Sequence, residues 1–296
     1  MTFINQHKDR TDGGLRWGVE PICAVLTAHG IKIAPSTYYE WNHKTLAARH
    51  VRDQELMVKI QQVYSDNFQV YGARKIWLTL NRQGILVARC TVERLMRHMG
   101  LKGVHRGKLK RTTQGDGSVL PGDQVNRQFA PTAPNQLWVE DFTYVSTWSG
   151  WVYAAFVIDA YARRILGWRT STTMNTDMVL DALNQALWQR EREGHNDYQH
   201  LIAHSDHGSQ YTSLRYTLRV EQAGIKPSTG TVGDSYDNAL AETINGLYKT
   251  ELIKRHRPWR NLDELEYATA EWIDWYNHRR LYRFFPFSGG VTRWVG

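Results

Sequence analysis

Only two cysteines, Cys23 and Cys90, occur in the 296 residues. A disulfide framework is therefore not expected, two thiols cannot build a cysteine-rich zinc module, and the cytoplasm is the expected compartment. No run of eighteen or more apolar residues occurs, so no membrane span is expected. The start, MTFINQHKDRTDGG, is polar and charged and lacks the apolar stretch of a signal peptide. GVHRGKL is only faintly like a phosphate loop; the full GxxxxGK[ST] pattern is absent, which argues against ATP binding.

Aromatic residues are plentiful. The chain is 42% hydrophobic with 12 Trp and 15 Tyr, ample for a core, and its length suits two domains or three small ones. Charge is uneven. Residues 1–130 carry 20 Lys/Arg against 10 Asp/Glu, and residues 131–296 carry 17 against 19. A basic front and a near-neutral back suggest polyanion binding ahead of chemistry.

Residues 17–29 read as a helix with Ile22, Val25 and Leu26 on one face, and STYYEW as a second helix with Ser36 as N-cap. Residues 51–65 repeat Leu56, Ile60 and Val63 at helical spacing. Gly72 to Asn81 and Thr91 to His98, joined by QGILVA, outline a helix-turn-helix studded with Arg74, Lys75, Arg82, Arg89, Arg94 and Arg97. A solvated face of a small helical bundle would carry the same charges. Residues 102–130 read as a linker whose first ten residues hold Lys102, Arg106, Lys108, Lys110 and Arg111, a strap suited to a phosphate backbone. From 137 the pattern turns to β: three strands, helix, strand, helix, strand, helix, an α/β order with a mixed sheet.

Three carboxylates stand out in that region: Asp141 in LWVEDFTYV, Asp206 in HSDHGSQY and Glu242 in GDSYDNALAE, with 64 residues between the first two and 35 between the last two. Carboxylates from separate segments can hold hard cations such as Mg²⁺, and paired ions can clamp both oxygens of a phosphoryl transfer. Strand parity puts Asp141 with Val139 and Thr143, and Glu140 with Phe142 on the other face. Asp206 falls at a strand's carboxyl end, where open α/β sheets place ligands. Glu242 falls off the apolar stripe Leu240, Ile244, Leu247, Tyr248 and Leu252, with Gly246 and Lys249 on its own face. His204 and His207 read as contacts or surface rather than zinc ligands, Asp159 as a turn cap, and tryptophans 138, 151, 168, 188, 272 and 275 as packing residues.

Residues 131–282 resemble the ribonuclease-H-like catalytic core of DDE transposases and retroviral integrases. HSDHGSQY, GDSYDNALAETINGLYKTELI and WIDWYNHRR, with VEPICAVLTAHGIKIAPSTYYEW and VYGARKIW upstream, are similar to the second-reading-frame protein of a bacterial insertion-sequence transposase family. The resemblance implies a five-stranded mixed sheet with flanking helices, preceded by a helix-turn-helix region. It divides the chain into a helix-turn-helix-like segment (1–50), a helical DNA-binding region (51–101), a basic linker (102–130), the integrase core up to its last strand (131–235), and the core helix carrying Glu242 with a helical tail (236–296).

The same resemblance implies that Asp141, Asp206 and Glu242 are catalytic metal ligands for two Mg²⁺ or Mn²⁺ ions. It implies Lys249 near the donor end and metal-dependent cleavage and strand transfer of insertion-sequence ends. Lys249, Asn238, Arg74, Lys75, Arg94, Arg97, Lys108, Lys110 and Arg111 are the expected DNA contacts. Expected partners are double-stranded DNA, further copies in a synaptic complex and an upstream-frame protein of the same element. Glu140 and His207 depart from the family's usual residues, and LYRFFPFSGGVTRWVG lacks its usual Pro-rich ending. The alternative readings are a non-catalytic DNA-binding regulator from a degenerate element and a hydrolytic nuclease of the same fold.

Overall fold

The computed structural model describes residues 1–42, 48–105, 131–206, 208–229 and 239–281. The front segment holds α1 (Thr2–His7), a ribbon of β1 (Thr11–Asp12) and β2 (Leu15–Arg16), α2 (Val19–Ala28) and α3 (Pro35–Asn42). It closes on its own small cluster of Ile4, Val19, Ile22, Cys23 and Tyr38. The buried set on α2 is thus 19, 22 and 23, again a helical stripe, but Val25 faces solvent and Cys23 takes the place expected for it. Pro35 opens α3, where its fixed φ and missing N–H suit the first turn, so Ser36 lies inside the helix rather than capping it.

Three helices follow: α4 (Ala48–Asp66), α5 (Ala73–Arg82) and α6 (Arg89–His98). Leu56, Ile60 and Val63 of α4 are buried as their spacing predicts, together with Ile76 and Leu80 of α5 and Val92, Leu95 and Met96 of α6. The expected helix-turn-helix outline is present, with Gly84 at φ +79° leaving α5.

The sheet is built from β3 (Leu137–Thr147), β4 (Gly150–Asp159), β5 (Arg164–Ser171), β6 (Ile202–Ser205) and β7 (Lys226–Thr229). Its order is β5-β4-β3-β6-β7. The first three strands form an antiparallel meander, and β6 and β7 add in parallel beyond β3. This is the mixed five-stranded, ribonuclease-H-like sheet expected from the sequence.

Helices α7 (Thr176–Arg192) and α8 (Leu214–Gln222) serve one face of the sheet. Val179, Leu180, Leu183 and Leu187 of α7 are buried there against Trp138, Ala155, Val157 and Leu166. Gly167 allows the close approach: a Cβ on it would stand 1.9 Å from the Ala182 carbonyl oxygen. The opposite face is covered by α9 (Ala239–Tyr248), a π-helical turn (Lys249–Ile253) and α10 (Leu262–His278). There Val139, Val145, Phe156 and Ile158 meet Tyr248, Trp272 and Trp275.

This second cluster does not stop at the sheet. It continues through Leu56, Ile60, Tyr71, Ile76, Leu80 and Val92, so the α4–α6 unit and the sheet region share one core. Polar contacts stitch the same junction: Trp275 Nε1 donates to Asn67 Oδ1 (3.0 Å), the Leu281 amide to the Tyr71 hydroxyl (2.6 Å), and Arg255 to the Tyr64 hydroxyl (2.9 Å). Beside it, Arg280 makes a buried two-pronged pair with Glu251 (2.6 and 3.0 Å). No helix among the described residues is long and apolar enough to cross a membrane.

Candidate active site

The register of β3 and β6 brings the first two carboxylates together. Leu137 pairs with Ile202 and Glu140 with Ser205, an offset that, carried one residue further, sets Asp206 beside Asp141. Neighbouring strands lie about 4.8 Å apart, and paired residues point to the same side. Asp206 follows directly on the end of β6, where its Oδ1 accepts from the Gly208 amide (3.0 Å). Helix α9 lies across β3 and brings the third segment. Its Asn245 donates from Nδ2 to Asp141 Oδ2 (2.8 Å), while the Phe142 amide donates to Asp141 Oδ1 (2.8 Å). Glu242 stands on the exposed side of α9, off the buried line of Ala241, Ile244, Asn245 and Tyr248.

Electrostatics records the convergence. Asp141 is pushed up to about 7, first by burial and next by the negative charge of Asp206, with a smaller push from Glu242. The hydrogen bonds from Phe142 and Asn245 pull the other way. Among the described residues no three His, Cys, Asp or Glu side chains lie close enough together to hold an ion by themselves. The donors nevertheless suit a hard divalent cation: they are oxygens, they repel one another, and the buried Asn245 Oδ1 beside them lacks a hydrogen-bond partner among the described residues.

Glu140, one residue away, faces the other side of the sheet as its parity requires. It is 1% exposed and accepts a hydrogen bond from the Tyr216 hydroxyl of α8. Burial pushes its carboxyl up to about 7, and the same burial holds the Tyr216 and Tyr211 hydroxyls far above the ordinary phenol value. His204 is buried with Nδ1 3.0 Å from the Ser228 hydroxyl, inside the sheet rather than at its end. Asp159 is a turn cap, as expected: its carboxylate accepts from the amides of Asn135 and Ala162 and pairs with the buried Arg190 (2.9 Å).

Comparison with known proteins identifies the family. The integrase core domain family matches residues 131–235 and, in a second form, residues 223–283, and an HTH-like domain family matches residues 51–108. A protein of insertion sequence element IS986/IS6110 from Mycobacterium tuberculosis is 61% identical over 85% of this chain and 91% of its own length. The transposase for insertion sequence element IS629 of Shigella sonnei is 54% identical over 90% of this chain and 88% of its own. The chain belongs to the insertion-sequence transposases. A solved HTLV-2 integrase catalytic core in complex with magnesium also aligns, at 17% identity over 50% of this chain and 90% of that one, with a TM-score of 0.39. As a transposase with an integrase core, the protein is a polynucleotidyl transferase, and DNA is what it acts on.

The transposase's expected DNA contacts are placed unevenly. Arg74 and Arg97 are exposed on α5 and α6. Arg94 is exposed but ion-paired with Asp53 of α4 (2.7 Å). Lys75 departs most from expectation: it is partly buried at the junction, its ammonium 4.8 Å from the centre of the Tyr71 ring. Burial and the charge of Arg280 lower it to about 8 against the pull of Glu251. That placement gives it a packing role in place of an open phosphate contact.

Lys249 opens the π-helical turn, half-buried, with its ammonium 4.8 Å from the centre of the Tyr144 ring. Burial lowers it from the ordinary lysine value and Asp141 partly restores it, so it stands within reach of the carboxylates' field. Asn238, His207, Lys108, Lys110 and Arg111 lie outside the described residues.

Two features escaped the sequence reading. Asn245 is a polar residue inside the buried line of α9, and that break in an apolar stripe was the available signal. Trp151 and Trp188 are more than half exposed, whereas Trp138, Trp272 and Trp275 are packed in the cores as expected.

Proposed function

We infer that the transposase cuts and joins DNA at the ends of an insertion sequence by metal-dependent phosphoryl transfer, with Asp141, Asp206 and Glu242 as the metal-holding carboxylates. The observation that carries this reading is the meeting of three segments far apart in sequence: the β3–β6 register sets Asp206 beside Asp141, and Asn245 of α9, the helix of Glu242, hydrogen-bonds Asp141. A cluster of mutually repelling oxygens at the carboxyl end of a parallel strand pair is stabilised by a divalent cation. Bound Mg²⁺ or Mn²⁺, two ions in the full site, would supply charge neutralisation at the attacking and leaving oxygens of the phosphodiester.

The chain's own groups have separable tasks in this reading. Asn245 fixes the rotamer of Asp141 through the Nδ2 hydrogen bond and ties α9, and so Glu242, to β3. Lys249 offers a cation beside the carboxylates for a phosphate of the bound end. Arg74, Arg94 and Arg97 of the HTH-like unit hold the duplex through its backbone. Copies of the chain assemble on paired ends, because joining needs two ends at once.

The test is cleavage and joining of duplex DNA carrying the element's terminal repeats, with Mg²⁺ or Mn²⁺. Wild type is expected to act, and Asp141→Asn, Asp206→Asn and Glu242→Gln to fall to background while still binding DNA. Equal activity in wild type and these variants would sink the reading.

A further inference from the structure

The turn that carries Lys249 is not an ordinary stretch of α-helix. Residues Lys249–Ile253 form a π-helical turn, and the Lys254 amide donates to the Lys249 carbonyl five residues back (2.9 Å). Such turns are rare and hold one residue more than an α-turn. Relaxed to α geometry, the phase between Lys249 and the buried Leu252 and Ile253 would shift by one residue, about 100°. The ammonium would then lose its seat against the Tyr144 ring.

Three ties frame the turn. At its start the Tyr248 hydroxyl and Thr269 Oγ1 of α10 are 2.7 Å apart. At its far end Trp259 Nε1 donates to the Ile253 carbonyl (3.1 Å). Between them Glu251, 6% exposed, accepts from Nε and Nη2 of Arg280. The first two are single hydrogen bonds between neutral groups. The third is charged, two-pronged and buried, a geometry that fixes orientation as well as distance.

Arg280 stands where the helix-turn-helix unit docks. Its amide donates to the Trp275 carbonyl (2.8 Å), and its guanidinium lies 5.5 Å from the centre of the Tyr276 ring and 5.9 Å from that of Trp275. The next residue, Leu281, donates its amide to the Tyr71 hydroxyl. Lys75 of α5, seated on that Tyr71 ring, feels the charges of both Arg280 and Glu251. Its neighbour Arg74 is exposed on the same helix.

We propose that Glu251 and Arg280 are positioning residues for Lys249. The pair holds the π-helical turn in the form that presents the ammonium to a phosphate of the bound DNA end, and it does so from the surface on which the helix-turn-helix unit docks. Seating of that unit and placement of the lysine are then one arrangement. The inference rests on the reading of Lys249 as a contact to the DNA end.

The experiment measures single-turnover cleavage of a duplex carrying the element's terminal repeat by the full chain with Mg²⁺, over a range of DNA concentrations. Glu251→Gln keeps the shape but not the charge, and Arg280→Lys keeps the charge but not the fork. Each is made in wild type and in Lys249→Ala. In wild type each is expected to raise the half-saturating DNA concentration about tenfold, with the saturated rate changed by less than about threefold. In Lys249→Ala, itself weakened about tenfold, neither should add more than about twofold, because the effect runs through the lysine. Losses that multiply in the double variants overturn the proposal. So does an unchanged half-saturating concentration in the single variants with normal melting curves. Arg280→Lys, the milder change, decides if Glu251→Gln does not fold. A Lys249→Ala chain that matches wild type overturns the reading of Lys249 itself, so the two failures are told apart.

Discussion

The two faces of β3 carry adjacent acids, Glu140 and Asp141, both raised to about 7, and for different reasons. Glu140 is raised by burial alone, opposed only by the hydrogen bond from Tyr216. Asp141 is raised by burial and also by two other carboxylates. The first kind of shift belongs to packing: a buried carboxyl that accepts the hydroxyl of a tyrosine on the helix above it. The second is a standing repulsion that a cation relieves. The size of a shift therefore says little about function, and its causes say much.

The largest expected difference between the two faces is in catalysis. Asp141→Asn should lower end cleavage by roughly a thousandfold or more, whereas Glu140→Gln, which keeps an acceptor for Tyr216, should stay within about tenfold. Comparable losses in the two variants would erase the distinction. Next in size is Asn245→Ala, which removes the tie between α9 and Asp141. Removing a hydrogen bond that orients a metal-holding carboxylate costs about 10- to 100-fold in metal affinity or activity. Here the loss should show as a raised Mg²⁺ requirement, read from rate against Mg²⁺ concentration; an unchanged Mg²⁺ midpoint would remove Asn245 from the site.

The smallest expected effect is on stability. In the metal-free chain both acids bind a proton more tightly folded than unfolded. Their penalty is thus absent below the ordinary carboxylate values near 4, grows as pH rises, and levels off above about 7. Asp141→Asn and Glu140→Gln should each raise the melting temperature at pH 8 by about 3–6 °C, with little change at pH 4. Saturating Mg²⁺ should raise the wild-type and Glu140→Gln curves and leave Asp141→Asn unmoved.

Much of this arrangement was legible from residues alone, and the reason is local periodicity. Strand parity separated Glu140 from Asp141, and the helical stripe kept Glu242 out of the core. What escaped depends on partners distant in sequence. Nothing local in WVEDF shows that the Glu140 carboxyl meets Tyr216, 76 residues on. The same limit applies to Asn245, which bonds Asp141 across 104 residues, and to Lys75, a basic residue in a basic helix that is turned inward by the junction with Arg280 and Glu251. The π-helical turn at Lys249–Ile253 also breaks the 3.6-residue phase used to relate Lys249 to Glu242, so the lysine sits against Tyr144 instead of simply continuing the glutamate's line.

The hydrophobic cluster shared by α4–α6 and the sheet has a mechanical consequence. A recognition module on a slack tether samples many distances from its cutting site. Here the tether is a core: Ile60, Ile76 and Leu80 belong to the same packed body as Trp272 and Trp275. On the proposed reading, in which α5 and α6 hold the duplex and Asp141 the phosphate, the span between them is a property of the fold, like the gap of a caliper. Side-chain packing would then set where the strand breaks relative to the bound sequence, and a cavity cut at that seam should blur the position of the break before it slows the break itself.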